Sequence, residues 1–242
     1  MRVAVLSDIH GNIDGLDACL NDLDAQGGAD HVVAAGDLCM DGPFPDRVIA
    51  RLRERNARCV RGNTDREIAT ADLATLDDDE ASMIRWQRER LGHENVAWLR
   101  ALPFSLSFGD GPDALLVVHA NPHSDDEHVW PDADEPTLER FFASVIERTI
   151  AFGHLHLPYV RVWRDKTLVD VASAGLPKDG DPRAHYVIFT QRSGGWEVKS
   201  RRVAFDVERV AAAIVSEAMP GSRRLVTVLR RHRYKQIGNV IP

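Results

Sequence analysis

The sequence predicts an α/β fold, and two observations carry that prediction. From Val3 to Val60, short apolar runs of β character alternate with stripes of helical spacing, the pattern left by parallel strands joined through helical crossovers. Strand-like runs then resume beyond a charged stretch and crowd together from Thr149 onward.

Taken in order, Val3 to Leu6 reads as a buried strand, and Ile13, Leu16, Leu20 and Leu23 recur at helical spacing behind it. His31 to Ala35 is a second strand, followed after a Gly-Pro-rich loop by a helix bearing Val48, Ile49 and Leu52. Arg58 to Val60 is a third. The charged segment from Thr64 to about Leu102 reads as two or three helices inserted as a cap near one end of the sheet. Leu106 to Phe108 and Leu115 to Val118 return to strand, and Leu138, Phe141, Phe142, Val145 and Ile146 form a helical stripe. Ile150–Phe152, Tyr159–Trp163, Thr167–Val171, His185–Phe189 and Trp196–Val203 read as strands whose close spacing predicts an antiparallel second sheet, before Val207, Val210, Ala211 and Ile214 resume helical period. With no repeat and no low-complexity linker, the expectation is a single domain over 1–242, with a helical insertion at about 64–102 and a basic C-terminal extension at about 219–242.

Bulk properties narrow the functional class. A formal net charge of −7 argues against general affinity for nucleic acid, because neutralising phosphates needs a cationic face. The local exception is the tail, where Arg223, Arg224, Arg230, Arg231, Arg233 and Lys235 occur without an acid. It reads as a solvated terminal strand or extension, with an RNA or oligomer contact as the alternative. Three cysteines, Cys19, Cys39 and Cys59, make no CxxC pair, so neither a disulfide framework nor a thiolate zinc site is expected. The apolar runs are too short to span a bilayer and the first residues do not read as a signal peptide, so a cytoplasmic location with no membrane partner is the expectation.

Five polar motifs interrupt the apolar pattern, each just past a strand. Asp8 and His10 follow the first strand, Gly36-Asp37 the second and Gly62-Asn63 the third; His119 follows Leu115–Val118, and Gly153-His154-Leu155-His156 follows Ile150–Phe152. Side chains beyond the carboxyl ends of parallel strands converge on one crevice. Mixed Asp, Asn and His ligands suit borderline divalent metals rather than calcium or a thiolate-bound zinc. Seven ligands exceed the needs of one tetrahedral ion but fit two ions sharing a carboxylate, a pair able to hold a hydroxide and clamp phosphoryl oxygens for in-line attack.

In this order the motifs resemble those of the calcineurin-like metallophosphoesterase superfamily over about residues 1–190. The runs Gly42-Pro43-Phe44-Pro45 and Pro177-Lys178-Asp179-Gly180-Asp181-Pro182-Arg183-Ala184 look like its small bacterial and archaeal phosphodiesterase branch. The resemblance implies a four-layer sandwich of two facing mixed β-sheets flanked by helices. It also implies a first metal on Asp8, His10, Asp37 and His156, and a second on Asp37, Asn63, His119 and His154, with Asp37 bridging. The cofactors expected are two divalent transition-metal ions, Mn²⁺ first, with Fe, Ni, Co or Zn as alternatives.

One departure sharpens the expectation. Many members carry His after the Gly-Asn, whereas this chain has Thr64 in the run Gly62-Asn63-Thr64-Asp65. A hydroxyl is a poor general acid near neutrality, so the sequence predicts a phosphodiesterase rather than an enzyme of alkyl monoesters. His123 is the candidate substitute acid, and Arg66 and Arg183 are candidates for binding substrate phosphate, against the commoner fate of surface ion pairing. Cys39, two residues past Asp37, reads as packing rather than ligand. Asp170-Val171-Ala172-Ser173 stands where the branch usually has Asn-Pro-Gly-Ser. Partners are therefore a phosphate-ester small molecule or a nucleotide, with a homo-oligomer also open. A nucleotide pyrophosphatase, a protein phosphatase of the same core, or a metal-retaining binding scaffold stand as alternatives.

Overall fold

The computed structural model describes residues 1–233; Lys235 of the basic tail lies outside them. Two five-stranded mixed sheets organise the chain. In the first, β1 (Arg2–Leu6), β2 (His31–Ala35) and β3 (Arg58–Val60) run parallel. The second contains β4 (Ser105–Phe108), β5 (Leu115–Val118), β6 (Thr149–Phe152), β7 (Tyr159–Trp163) and β8 (Lys166–Asp170) in the order β4-β5-β6-β8-β7. Its centre, β5-β6-β8, is parallel, and the edge strands β4 and β7 are antiparallel.

The antiparallel second sheet expected from close strand spacing is corrected here. The hairpin of β9 (Ala184–Arg192) and β10 (Gly195–Val203) leaves the second sheet and extends the first, with β9 antiparallel to β1, giving the order β10-β9-β1-β2-β3. Short spacing identifies a hairpin but does not say which sheet edge it joins. Here Val187 and Phe189 pack with Val3, Val5 and Val33, and they would lose that apolar burial on any other edge.

Alternation along each strand sends side chains to opposite faces, and both faces are covered. Val3, Val5, Val33 and Val60 meet Leu115, Val117, Ala151 and Val169 between the sheets. On the outer face of the first sheet, Ala4, Leu6, Ala34 and Ile188 share a core with α1 (Ile13–Ala25), α2 (Pro45–Glu54), α3 (Asn63–Thr70) and α4 (Asp78–Arg100). On the outer face of the second, Leu116, Val118, Ile150 and Leu168 pack against Leu138, Phe141 and Phe142 of α5 (Glu135–Phe142). The layers are therefore helix, sheet, sheet, helix, as expected. α5 stops short of the predicted stripe, and Ile146 is left 66% exposed. The insertion resolves into α3, a 3₁₀ turn at Leu73–Thr75 and α4, which is broken at Gly92 by non-helical backbone; Ile68, Leu91 and Leu99 seat it in the first helical layer.

The basic tail departs most from expectation. It is no solvated strand: after α6 (Val207–Ser216), residues Ser222–Arg231 form a helix, α7. Leu225 and Leu229, four apart and so on one helical face, are buried in the first helical layer. No helix among the described residues is long and apolar enough to cross a membrane.

Candidate metal centre

The ligand residues sit in loops leaving β1, β2, β5 and β6 and at the start of α3, so the two sheets meet at the site. Asp8, His10 and His156 form one trio whose potential ligand atoms all lie within 4.8 Å of one another, and Asp37, His119 and His154 form another. Asn63 joins the second, its Oδ1 3.1 Å from His119 Nε2. Asp37 faces both: Oδ1 is 3.4 Å from His119 Nε2 and Oδ2 is 3.7 Å from His10 Nε2.

Unusual backbone brings these side chains together. Asp8, His10, Asp37, His154 and His156 all adopt positive φ, between 48° and 68°. That region is uncommon for non-glycine residues, and each such residue costs on the order of 1–3 kcal/mol unless its surroundings enforce it. Glycines supply the close approaches that do so. A Cβ on Gly62 would stand 2.2 Å from Asp37 Oδ1, and one on Gly153 would stand 2.4 Å from Asp8 Oδ2.

Hydrogen bonds behind the rings fix which nitrogen carries the proton. His119 Nδ1 lies 2.8 Å from Ala35 O, His154 Nε2 is 2.9 Å from Asp126 O and His156 Nδ1 is 2.5 Å from Leu176 O. A carbonyl can only accept, so each of these nitrogens donates, and in the neutral ring the other presents a lone pair. The lone pairs then oppose one another. His119 Nε2 lies 3.2 Å from His154 Nδ1, and His156 Nε2 lies 3.0 Å from Asp8 Oδ1. Asp8 Oδ1 is buried with no hydrogen-bond partner, and His10 presents Nε2 to it at 3.8 Å and to His156 Nε2 at 3.3 Å. Leaving such a group unpaired costs about 1–3 kcal/mol, and a cation between these atoms would turn the opposed lone pairs into ligands. The residues present therefore fit divalent metal ions at both trios. Burial also holds His156 down to about 4, with the Lys178 charge adding to it, so its ring is neutral and able to ligate at physiological pH.

Two buried side chains clamp the ligand loops from behind. Asp65 accepts from Leu38 N (3.0 Å) through Oδ1 and from Gly62 N (3.0 Å) through Oδ2, tying the loop of Asp37 to that of Asn63. Burial, then the charge of Asp37, raises its carboxyl to about 7. Ser173 Oγ donates to Asp8 O (2.7 Å) and accepts from Leu176 N (2.6 Å), tying Asp8 to the residue whose carbonyl orients His156.

The remaining candidates are placed as follows. Arg66 pairs with Asp125 (Nε to Oδ2, 3.1 Å), and Arg183 closes on Asp181 (Nη2 to Oδ2, 2.6 Å). His123 is exposed, its backbone N–H donating to Asn121 Oδ1. The imidazole brought against the site from that loop is His128, whose ring lies 4.2 Å from His154 between centroids and stacks on Trp130. Cys39 is buried in the first helical layer's core. Thr64 donates its backbone N–H to Asp37 Oδ1 (3.0 Å), and its hydroxyl oxygen is buried without a partner. Ala172 holds φ +53 in the run that departs from Asn-Pro-Gly-Ser. Sequence reasoning missed His128 and Ser173 as site residues. His128 belongs to no motif and Ser173 only ends an altered one, and both reach the site through tertiary closure.

Comparison with known proteins bears on the fold and the family. The chain is 27% identical over 236 residues to an uncharacterised protein of Methanocaldococcus jannaschii, covering 90% of this chain and 93% of that one. Its fold matches the crystal structure of a metallophosphoesterase from Sphaerobacter thermophilus (TM-score 0.79, 24% identity, 96% and 99% of the two chains). It also matches a hypothetical protein of Pyrococcus horikoshii (TM-score 0.81, 22% identity, 94% and 97%). Residues 1–194 match the calcineurin-like phosphoesterase superfamily domain, and the chain belongs to that superfamily.

Proposed function

We propose that this member of the calcineurin-like phosphoesterases is a dimetal-dependent phosphodiesterase. The observation that carries the reading is Asp37, whose two carboxylate oxygens are divided between the two imidazole clusters. Two divalent cations held there would supply Lewis-acid activation of water and charge neutralisation at phosphorus. First-site ligands would be Asp8, His10, Asp37 and His156; the second would use Asp37, Asn63, His119 and His154.

The chain's own residues set the rest. Carbonyls of Ala35, Asp126 and Leu176 hold three imidazoles in their ligating tautomers, so no reorientation is needed when charge develops. Thr64 offers no proton donor near neutrality, which favours esters whose leaving group departs without one; such a donor is typically worth about 10²–10⁴-fold. Metal-stripped protein refilled with Mn²⁺ is therefore expected to hydrolyse bis(p-nitrophenyl) phosphate faster than an alkyl phosphate monoester. Thr64→His should raise monoester turnover relative to diester turnover. Efficient alkyl-monoester hydrolysis by the unaltered chain, with little on the diester, would overturn the assignment.

A further inference from the structure

Beside the metal centre lies a cavity of about 820 Å³, within the range of small-molecule pockets. His10 and Lys178 line it, and a wall formed by α7 and the residues just past it carries Arg223, Arg224, Arg231 and Arg233. In a chain of net charge −7, this wall concentrates cations against the overall sign. Their engagement differs. Arg230, on the same helix but not on the cavity, pairs with Glu208, and Arg224 lies 4.0 Å from Asp41. No carboxylate among the described residues pairs with Arg223 or Arg231, and both are exposed.

The wall is fixed in place rather than loosely apposed. Leu225 and Leu229 are buried, and the end of α7 is tied to the loop bearing Lys178 by Gly180 N to His232 O (2.6 Å) and a bridge between Asp179 and Arg233. Gly180 permits this at φ +93, where a Cβ would meet Arg233 Nε at 2.8 Å. The cavity thus runs from a candidate metal ligand, His10, to a cationic face with no anionic partner for two of its arginines.

We propose that this wall is a second anion subsite, so that the substrate is a phosphoester carrying a second phosphate group. The scissile phosphorus sits at the metal centre while the second phosphate lies against Arg223 and Arg231, in the cavity that Lys178 also lines. Guanidinium groups pair with phosphate oxygens in a bidentate manner, which makes arginine the suited side chain. The inference rests on the phosphodiesterase reading for its reacting end, but the subsite itself is testable by binding alone.

The test compares thymidine 3′,5′-bisphosphate with thymidine 5′-monophosphate by calorimetry on the metal-loaded protein and on an Arg223→Gln/Arg231→Gln double variant. Both positions are exposed, so the substitutions spare the core. The unaltered protein should bind the bisphosphate at least about tenfold more tightly, and the double variant should erase that preference. Thymidine 5′-(p-nitrophenyl phosphate) with and without a 3′-phosphate should show the same ratio in kcat/KM. Equal binding of the two nucleotides, or a preference that survives in the double variant, overturns the subsite. A bisphosphate preference that depends on the arginines, with no hydrolysis of any ester, would leave the subsite standing and sink the hydrolytic reading instead.

Discussion

The cluster of Asp37, His119 and His154 is clamped by a carboxylate, whereas that of Asp8, His10 and His156 is clamped by a hydroxyl. Asp65 spans the loops of Asp37 and Asn63; Ser173 spans Asp8 and Leu176. Both clamps are buried and both act on backbone, so each sets where ligands point without touching the space between them. They differ in what the solvent can do to them. A hydroxyl keeps its hydrogen bonds over the working pH range, while Asp65, raised to about 7, changes its proton near neutrality. The clamp on one half is therefore indifferent to pH near neutrality, and the clamp on the other is not.

The largest effect expected breaks the comparison by removing what the halves share. Asp37→Asn should release both ions, read as metal content per chain. Metal charge stabilisation is worth several kcal/mol, so diester turnover should fall by about 10³-fold at roughly 1.4 kcal/mol per decade. Loss of one ion alone would show that Asp37 does not serve both clusters.

The next pair sharpens it. Asp65→Asn should weaken the ion at Asn63, His119 and His154, and Ser173→Ala the ion at Asp8, His10 and His156. Partners that orient ligands are worth about 10–100-fold in metal affinity, and titration with Mn²⁺ would resolve the two sites. The same ion suffering in both variants would remove the distinction. The carboxylate also leaves a pH signature in metal-free protein. A carboxyl whose folded pKa is raised contributes stability below its unfolded pKa and loses that contribution as pH rises through about 7. The melting-temperature advantage of the unaltered chain over Asp65→Asn should therefore shrink between pH 4 and pH 8, and a gap that widens would refute the assignment.

The smallest effect concerns the hydroxyl's own loop. Ala172 adopts φ +53 immediately before Ser173, a conformation that costs an L-residue about 1–2 kcal/mol and glycine little. Ala172→Gly should stabilise the protein by about 1 kcal/mol in chemical unfolding, and a destabilised variant would mean that the methyl group's packing outweighs the strain.

Much of this was legible in the sequence because parallel strands buried on both faces read as unbroken apolar runs. Val32 to Ala35 and Leu115 to Val118 are short, β-branched-rich runs of strand length, and the polar residues just past them fall at one crevice. The β9–β10 hairpin was legible as strands but not in its sheet, since edge choice depends on distant partners such as Val3 and Val5. α7 was hidden because its arginines dominate the composition while two leucines do the packing. Asp65 was visible only as the acid after Thr64, and Ser173 only as the end of an altered motif; their common role as clamps depends on loops far apart in the chain.

The placement of the ligands on two sheets has a consequence beyond chemistry. Positions 146 residues apart, His10 and His156, come within 3.3 Å between ring nitrogens, and an ion seated between them would rivet one sheet to the other. A ligand that binds only the folded state stabilises it by about 2.7 kcal/mol at a hundredfold excess over its Kd. Scarcity of metal would then govern how long each copy of the chain survives in a cell, and not only how fast it works.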